Sequence, residues 1–413
     1  MKRFLFSVCA LAAVVVGCSK SEVLNRPNAE VPIEFNPYTG RIPVTRATAA
    51  DETTLGEAGF QVYAFLHDSN GDVDYTATPY MDKVVKYGKK TTEDTSDSWY
   101  YTGNAYWPAS RELTFIAYGL NASSLISRPD NGEEKEFTYT IPSVVADQKD
   151  LLVAKVMKGE KYNEETEDGT VDFVFSHLLS RIGFSLVTKA DGTLVTIEQV
   201  NLVGKFYKEG KVDLTVATPL ETSLTINGQE AKRNRPYIVP SVAAEEITYS
   251  LLTGGSYTNI GAKDNGTPIF DNSMLYEKST GDANTTDDDV YNPKSFNDAE
   301  AKAAAEAAAA ANQTNRYMMI IPTETPAHNS ESTGQSLAHG AKLLVKYFLP
   351  GAGTFDEVEV DLSTIKFEQG KSYDFKLKVS TNGISFDVVV EDWDTTGDSA
   401  TGADGTNPPY ELN

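Results

Sequence analysis

The run from Tyr373 to Val379 (YDFKLKV) alternates apolar and charged side chains without a break. After Ser380 to Gly383 (STNG), the run from Ile384 to Val388 (ISFDV) alternates again. A period of two places the apolar side chains on one face of a strand, and Asn-Gly supplies the positive backbone torsions of a two-residue turn. The stretch therefore predicts a β-hairpin with one face in the core and one in water. Strands of this kind build antiparallel sheets packed on a single side, so the chain is expected to be all-β, in sandwiches rather than α/β layers. Similar short runs rich in Val, Ile, Thr, Tyr and Phe recur along the chain, separated by Gly, Asn, Asp and Pro. The clearest are 60–66 (FQVYAFL), 113–118 (LTFIAY), 151–156, 171–175, 182–187, 317–321, 343–349 and 358–362.

One stretch departs from this pattern. Residues 298–311 (DAEAKAAAEAAAAA) are strong helix formers with an Asp or Asn cap and an acidic first turn, which predicts a single helix. Its surface is almost all alanine, with little apolar area to dock. It reads as an insertion between strands, together with the acidic loop 281–293 before it; a coiled-coil partner helix would need a heptad of large apolar residues, which is missing. The 413 residues suggest two or three domains at roughly 150 residues each. A formal charge of −23, with 36 Lys plus Arg against 59 Asp plus Glu, argues against a nucleic-acid partner or attraction to an anionic membrane face.

The first residues predict the route of export. Lys2 and Arg3 precede an apolar run from Phe4 to Val16, shorter than the roughly 20 residues of a spanning helix, which reads as the core of a signal peptide over residues 1–17. The run ends in Val15-Val16-Gly17-Cys18, similar to the lipobox of bacterial lipoproteins, with Cys18 as the lipidation site; an ordinary secretory signal with an incidental cysteine is the alternative. Cleavage before Cys18 would remove Cys9, the other of two cysteines. The mature chain would then have no disulfide, thiol nucleophile or Cys-ligated metal. Residues 19–30 are polar and read as a tether.

Chemistry-bearing motifs are scarce. His67, His177, His328 and His339 are scattered, without HExxH or a pair at metal spacing, and there is no Walker A loop, no GxGxxG opening a helix and no GxSxG elbow. His177 lies among large apolar residues in FVFSHLLS, where a hydrogen-bonded structural histidine is expected, with no orienting acid in view. Asp68, Asn70 and Asp72 begin like a calcium loop, but Val73 stands where the EF-hand needs Gly and Pro79 where it needs Glu, so a tight turn explains them better. No catalytic residue, metal or cofactor is expected, and the protein is expected not to be an enzyme.

Several weaker signals occur in one order. After the Cys18 motif come Val44-Thr45-Arg46-Ala47, the run 60–65, Trp99-Tyr100-Tyr101, Tyr106-Trp107-Pro108 and 113–118. Then follow Ile141-Pro142, 149–154 (KDLLVA), 175–181 (FSHLLSR), 367–373 (FEQGKSY) and a terminal strand near Trp393. This series resembles the fimbrillin family, the subunits of type V pili, over nearly the whole mature chain.

The resemblance implies two tandem transthyretin-like antiparallel β-sandwich domains with one Ala-rich helical insertion. Residues 18–46 would be the lipid tether and a removable N-terminal strand, 47–188 the first domain, 189–394 the second with its insertion at 281–315, and 395–413 a C-terminal tail. It further implies a lipoprotein of the outer membrane that becomes a subunit of a cell-surface fimbria. Cleavage after Arg46, leaving Ala47 first, or alternatively after Arg41, would free a groove for a strand of the next subunit. Partners would be other copies or related fimbrillin subunits, with the adhesion ligand undefined. The tail, with Pro408-Pro409 and few apolar residues, departs from an alternating donor strand. The alternative is a monomeric surface lipoprotein that binds glycan or peptide; Trp99, Tyr100, Tyr101, Tyr106 and Trp107 could stack on sugars, although their place at a strand end favours the core.

Overall fold

A computed structural model describes residues 31–38, 52–108, 111–128, 135–160, 169–188, 195–219, 224–226, 229–231, 234–252, 258–260, 267–269, 276–278, 291–293, 295, 297–311, 317–325, 336–348, 356–380 and 383–393. These residues form a predominantly β body with few helices.

The first half is built on a six-stranded sheet. In spatial order its strands are Ser176–His177, Leu152–Glu160, Leu113–Gly119, Phe60–Leu66, Met81–Gly88 and Ser98–Tyr101. The two inner strands, Phe60–Leu66 and Leu113–Gly119, are buried nearly throughout rather than at every second residue, because both faces of the sheet are covered. On one face, Phe60, Val62 and Phe115 share a core with Phe35 and Phe173, which belong to a separate pair of strands, Glu34–Tyr38 and Thr170–Val174. On the other face, Tyr63, Phe65, Ile116 and Tyr118 pack with Phe137, Tyr139, Val212 and Ile238. Those last four come from a sheet ordered Asn234–Pro240, Glu209–Pro219, Glu136–Thr140 and Ile126–Ser127.

The second half is a sandwich around Ile182, Phe184, Leu202, Tyr249, Leu343, Tyr373 and Phe375. One sheet centres on Ser180–Thr188, Lys371–Ser380 and Gly383–Asp392, and the facing sheet on Glu245–Leu252, Val195–Phe206, Lys342–Phe348 and Asp356–Asp361. The predicted hairpin is present, with Ser380 opposite Gly383. Its polar face is mixed: Lys378 pairs with Asp387 near the turn, while at the other end Ser372 is buried and Glu391, opposite it, is exposed. By pairing, Ser180–Thr188 belongs with the second half, since it runs parallel to Lys371–Ser380. Glu209–Pro219 pairs back with Glu136–Thr140 in the first.

Several expectations need correction. The sheets are not uniformly antiparallel: Glu34–Tyr38 with Thr170–Val174, and Ser180–Thr188 with Lys371–Ser380, are parallel. Parallel neighbours need a long crossover, which these sequence separations provide. Pro37 lies inside the strand Glu34–Tyr38. A short helix, Glu52–Ala58, is present in addition to the expected one. The long helix runs Ala299–Ala311, and Asp298 caps it by accepting a hydrogen bond from the Ala301 amide at 2.7 Å. Asp68 forms the expected turn, its carboxylate accepting the amides of Asn70 and Asp72 at 2.8 and 2.9 Å.

Candidate assembly site

The segment 31–38 packs on one face of the six-stranded sheet, held on both flanks. Toward residues 105–107 it forms antiparallel bonds: the Ile33 amide donates to the Ala105 carbonyl and the Trp107 amide to the Val31 carbonyl, each at 2.9 Å. Toward the other flank, the Glu34 amide donates to the Gly169 carbonyl at 3.0 Å, and the parallel register runs from Glu34 opposite Thr170 to Tyr38 opposite Val174. Alternation sets which side chains enter. Ile33, Phe35 and Pro37 are buried, Pro32 and Glu34 exposed.

Phe35 is the anchor. It stacks on Phe173 at 5.5 Å and meets Phe60, Tyr101 and Phe115 edge-on at 5.9–6.1 Å. Aromatic pairs of this geometry add roughly 0.5–1.5 kcal/mol each beyond the area they bury. Polar contacts fix the register. The Tyr101 hydroxyl donates to the Ile33 carbonyl at 2.7 Å, the Trp107 indole to the Gly169 carbonyl at 2.9 Å, and the Asn36 amide to Asp172 at 2.8 Å. Burial raises the Tyr101 pKa, which keeps its hydroxyl a donor. Gly169 is required by close approach, since a Cβ there would lie 2.6 Å from the Pro32 carbonyl oxygen. Both prolines fit: alternation from the Glu34 amide turns the Pro37 nitrogen away from its partner strand, and the ladder bonds beside Pro32 are made by Val31 and Ile33.

The expected processing and lipidation residues, Cys18, Arg41, Arg46 and Ala47, lie outside the described residues, as do the acidic loop 281–290 and the tail 394–413. The aromatic group, expected in the core, is only partly there. Tyr101 and Trp107 are buried under the segment 31–38, while Trp99, Tyr100 and Tyr106 are half-exposed. Tyr100 borders an open cleft of about 600 Å³ with Gln61, Asp82, Lys83, Lys86 and Thr102. Gly169 and Asp172 gave no signal in the sequence, because a carbonyl acceptor and a lone surface carboxylate follow no local pattern.

A second constellation joins the two halves, and the motifs 149–154, 175–181 and 367–373 and Trp393 converge on it. His177 does have an orienting acid: its Nδ1 lies 2.6 Å from Asp150 Oδ2, both residues buried. The imidazole stacks on Trp393 at 4.0 Å with planes 6° apart. The Arg181 guanidinium sits over the rings of Tyr317 and Trp393 at 4.7 and 4.9 Å and donates to Ser372 at 3.0 Å, and burial pulls its pKa below the ordinary value. Gln148 accepts the Met319 amide at 2.7 Å and donates to the Pro142 carbonyl at 3.0 Å. Gln369 does the same for the Ile238 amide and Pro236 carbonyl at 3.1 and 2.9 Å. The histidine is thus a structural, hydrogen-bonded one in a brace between layers. Among the described residues no group of three or more potential ligands is placed to hold a metal ion.

A β body whose first sheet is covered on one face by the strand Glu34–Tyr38 and on the other by a second sheet falls in the class of β-sandwich proteins. The chain belongs to the fimbrillin-like family, whose model matches residues 45–277. It is 28% identical over 221 residues to the fimbrium subunit Fim1C of Phocaeicola vulgatus, a match spanning 48% of this chain and 55% of that relative. Among solved structures, a fimbrial protein from Bacteroides vulgatus aligns over 88% of this chain and 99% of its own, at 16% identity and a TM-score of 0.49. A fimbrial assembly protein from Parabacteroides distasonis aligns over 87% and 95%, at 12% identity and a TM-score of 0.37.

Proposed function

We propose that the chain is a non-enzymatic structural subunit of a cell-surface fimbria, exported as an outer-membrane lipoprotein through Cys18, trimmed, and polymerised by strand exchange. The observation that carries this reading is the segment 31–38, a strand lying upstream of Arg41 and Arg46 that completes a groove lined by Phe60, Tyr101, Phe115 and Phe173. While attached, that strand fills the groove at high effective concentration, and an incoming strand cannot compete. Cutting after Arg46, or after Arg41, removes the advantage. A contact of this kind joins unlike surfaces of successive copies, so it grows a filament rather than closing a ring.

Limited trypsin digestion of the chain from residue 19 is expected to expose Ala47 as a new N-terminus and then to yield multimers on a denaturing gel, while Arg46→Ala stays monomeric. Cleavage at Arg41 instead moves the site and preserves the mechanism. Multimers from uncut protein would sink it. Fatty-acid labelling lost in Cys18→Ala tests the export step. The alternative, a monomeric glycan binder, draws on the open cleft beside Tyr100; clean cutting without multimers, together with glycan binding abolished by Tyr100→Ala, would favour it.

A further inference from the structure

Strands Met81–Gly88 and Ser98–Tyr101 end the six-stranded sheet, and its two faces differ there. On the groove face, Phe60, Val85 and Tyr101 stand in register across three strands and are buried. On the reverse face, by alternation, Gln61 lies opposite Val84 and Lys86 opposite Tyr100, with Asp82 and Thr102 beside them. The sheet that covers this reverse face stops short of these residues. Arg128, which follows its edge strand Ile126–Ser127, lies over the rings of Tyr63 and Tyr118 at 4.9 and 5.2 Å, and Tyr63 is the direct cross-strand neighbour of Asp82. Beyond that border the face opens into the cleft of about 600 Å³. Val84 is 38% exposed there, whereas Tyr63, Phe65 and Ile116 on the same face are buried.

The polar groups of the cleft are already set. Gln61 is 8% exposed, and its Nε2 lies 2.6 Å from Asp82 Oδ1, 3.1 Å from the Lys83 carbonyl and 3.3 Å from the Val62 carbonyl. Three acceptors around one nitrogen fix the orientation of the amide, and its Oε1 is the atom left over. Among the described residues, no hydrogen bond engages Gln61 Oε1, Asp82 Oδ2, Lys86 Nζ or the Tyr100 hydroxyl.

We propose that this cleft binds a neutral pyranose unit of a glycan, with the C–H face of the sugar on Tyr100 and Val84 and its hydroxyls donating to Asp82 and Gln61. Lys86 donates to a sugar oxygen. Two adjacent fixed acceptors call for two adjacent donors. Neighbouring hydroxyls of a sugar ring supply them, whereas an extended peptide turns successive N–H groups to opposite sides. An acidic sugar would bring a second carboxylate against Asp82, and the one lysine on this face does not offset two. An aromatic face beside a few convergent polar groups, in a space within the roughly 300–1,000 Å³ of small-ligand sites, suits such a ring. The groove lies on the opposite face of the same strands, so the cleft stays open whichever strand the groove holds. The inference therefore does not depend on the strand-exchange reading, and it gives a fimbrial subunit a sugar contact on its flank.

The test applies the chain from residue 19, uncut and trypsin-cut, to an array of neutral, uronate-bearing and sialylated oligosaccharides. Saturation-transfer NMR with the methyl glycoside of the best-bound neutral sugar follows. Cut and uncut protein should bind the same neutral sugars, with saturation reaching the C–H protons of one ring face. Tyr100→Ala and Asp82→Ala should each weaken binding at least ~10-fold, the loss expected of a stacked ring or a charged acceptor. Both should keep the melting temperature within ~2 °C, since neither side chain is in the core. Tyr100→Phe should retain most of the affinity, and Tyr87→Ala, an exposed aromatic on the groove face of the neighbouring strand, should change nothing. No binding to any neutral sugar, a preference for acidic ones, or equal binding by the parent and both alanine variants would overturn the assignment. Sugar binding without multimers after the cut would strike strand exchange and leave this site standing.

Discussion

His339 shows how a single side chain ties stability to pH. Its Nδ1 accepts the Ala341 amide at 2.9 Å and its Nε2 faces the Ile365 carbonyl at 2.7 Å, which fixes the neutral tautomer with the proton on Nε2. Phe206 and Phe367 flank the ring. Burial, the largest cause, lowers its pKa from 6.5, against smaller opposing effects of the Ile365 carbonyl and Asp361. Below pH 6.5 the unfolded chain therefore binds a proton that the folded chain resists. This contribution to stability is present above pH 6.5 and is lost as pH falls toward the lowered folded value. The melting temperature should drop between pH 7.5 and 5.5, and His339→Gln should flatten that slope; equal slopes in the two proteins would refute the assignment. Asp374 works in the opposite sense, because burial raises its carboxyl pKa and ionisation there costs stability at neutral pH.

At the scale of elements, legibility depended on whether the signal was local. The helix Ala299–Ala311 was readable because alanine propensity and the Asp298 cap are written in adjacent residues. Glu52–Ala58 was not: its seven residues include Gly56, and it is stabilised by fully buried Leu55 and by Gly59, whose φ of 79° ends it as the Gly59 amide bonds the Leu55 carbonyl at 2.7 Å. Residues 31–35 read as strand-like in the sequence, but neither the continuation through Pro37 nor the strand's partner and direction was legible. Asn36 meets Asp172 across 136 residues, and alternation says nothing about neighbours that distant. The same contrast yields a prediction. Residues 299–304 of the long helix are exposed, and alanine buries little area even when docked. Deleting residues 281–315 and closing the gap with a short Gly-Ser link should therefore lower the melting temperature by less than ~4 °C, about the effect of 1 kcal/mol in a domain of 150–250 residues. A fall beyond roughly 10 °C would make the helix a packed part of the core.

For the molecule as a whole, the brace at Trp393 decides whether the halves behave as one body. Met319, Ile321 and Trp393, from late in the chain, are buried in the same cluster as Tyr63, Ile116 and Tyr139 from the first half. The backbone closes the same joint, with the Gly370 amide on the Leu179 carbonyl at 3.1 Å and the Trp393 amide on the Gly370 carbonyl at 2.8 Å. Two halves that share core side chains lose those contacts together, so heating should give one calorimetric transition whose van't Hoff and calorimetric enthalpies agree. Trp393→Ala would remove the ring on which His177 stacks and over which Arg181 lies, leaving a cavity and a buried cation without one of its faces. Truncations of this kind cost about 3–5 kcal/mol, which in a single cooperative body this large corresponds to a fall of roughly 4–7 °C. Two separated transitions in the parent protein, or a shift in the variant under ~2 °C, would show that the halves melt independently and that the brace does not couple them. If the coupling holds, a pull applied at the strand near Phe35 reaches Trp393 through packed side chains rather than through a hinge.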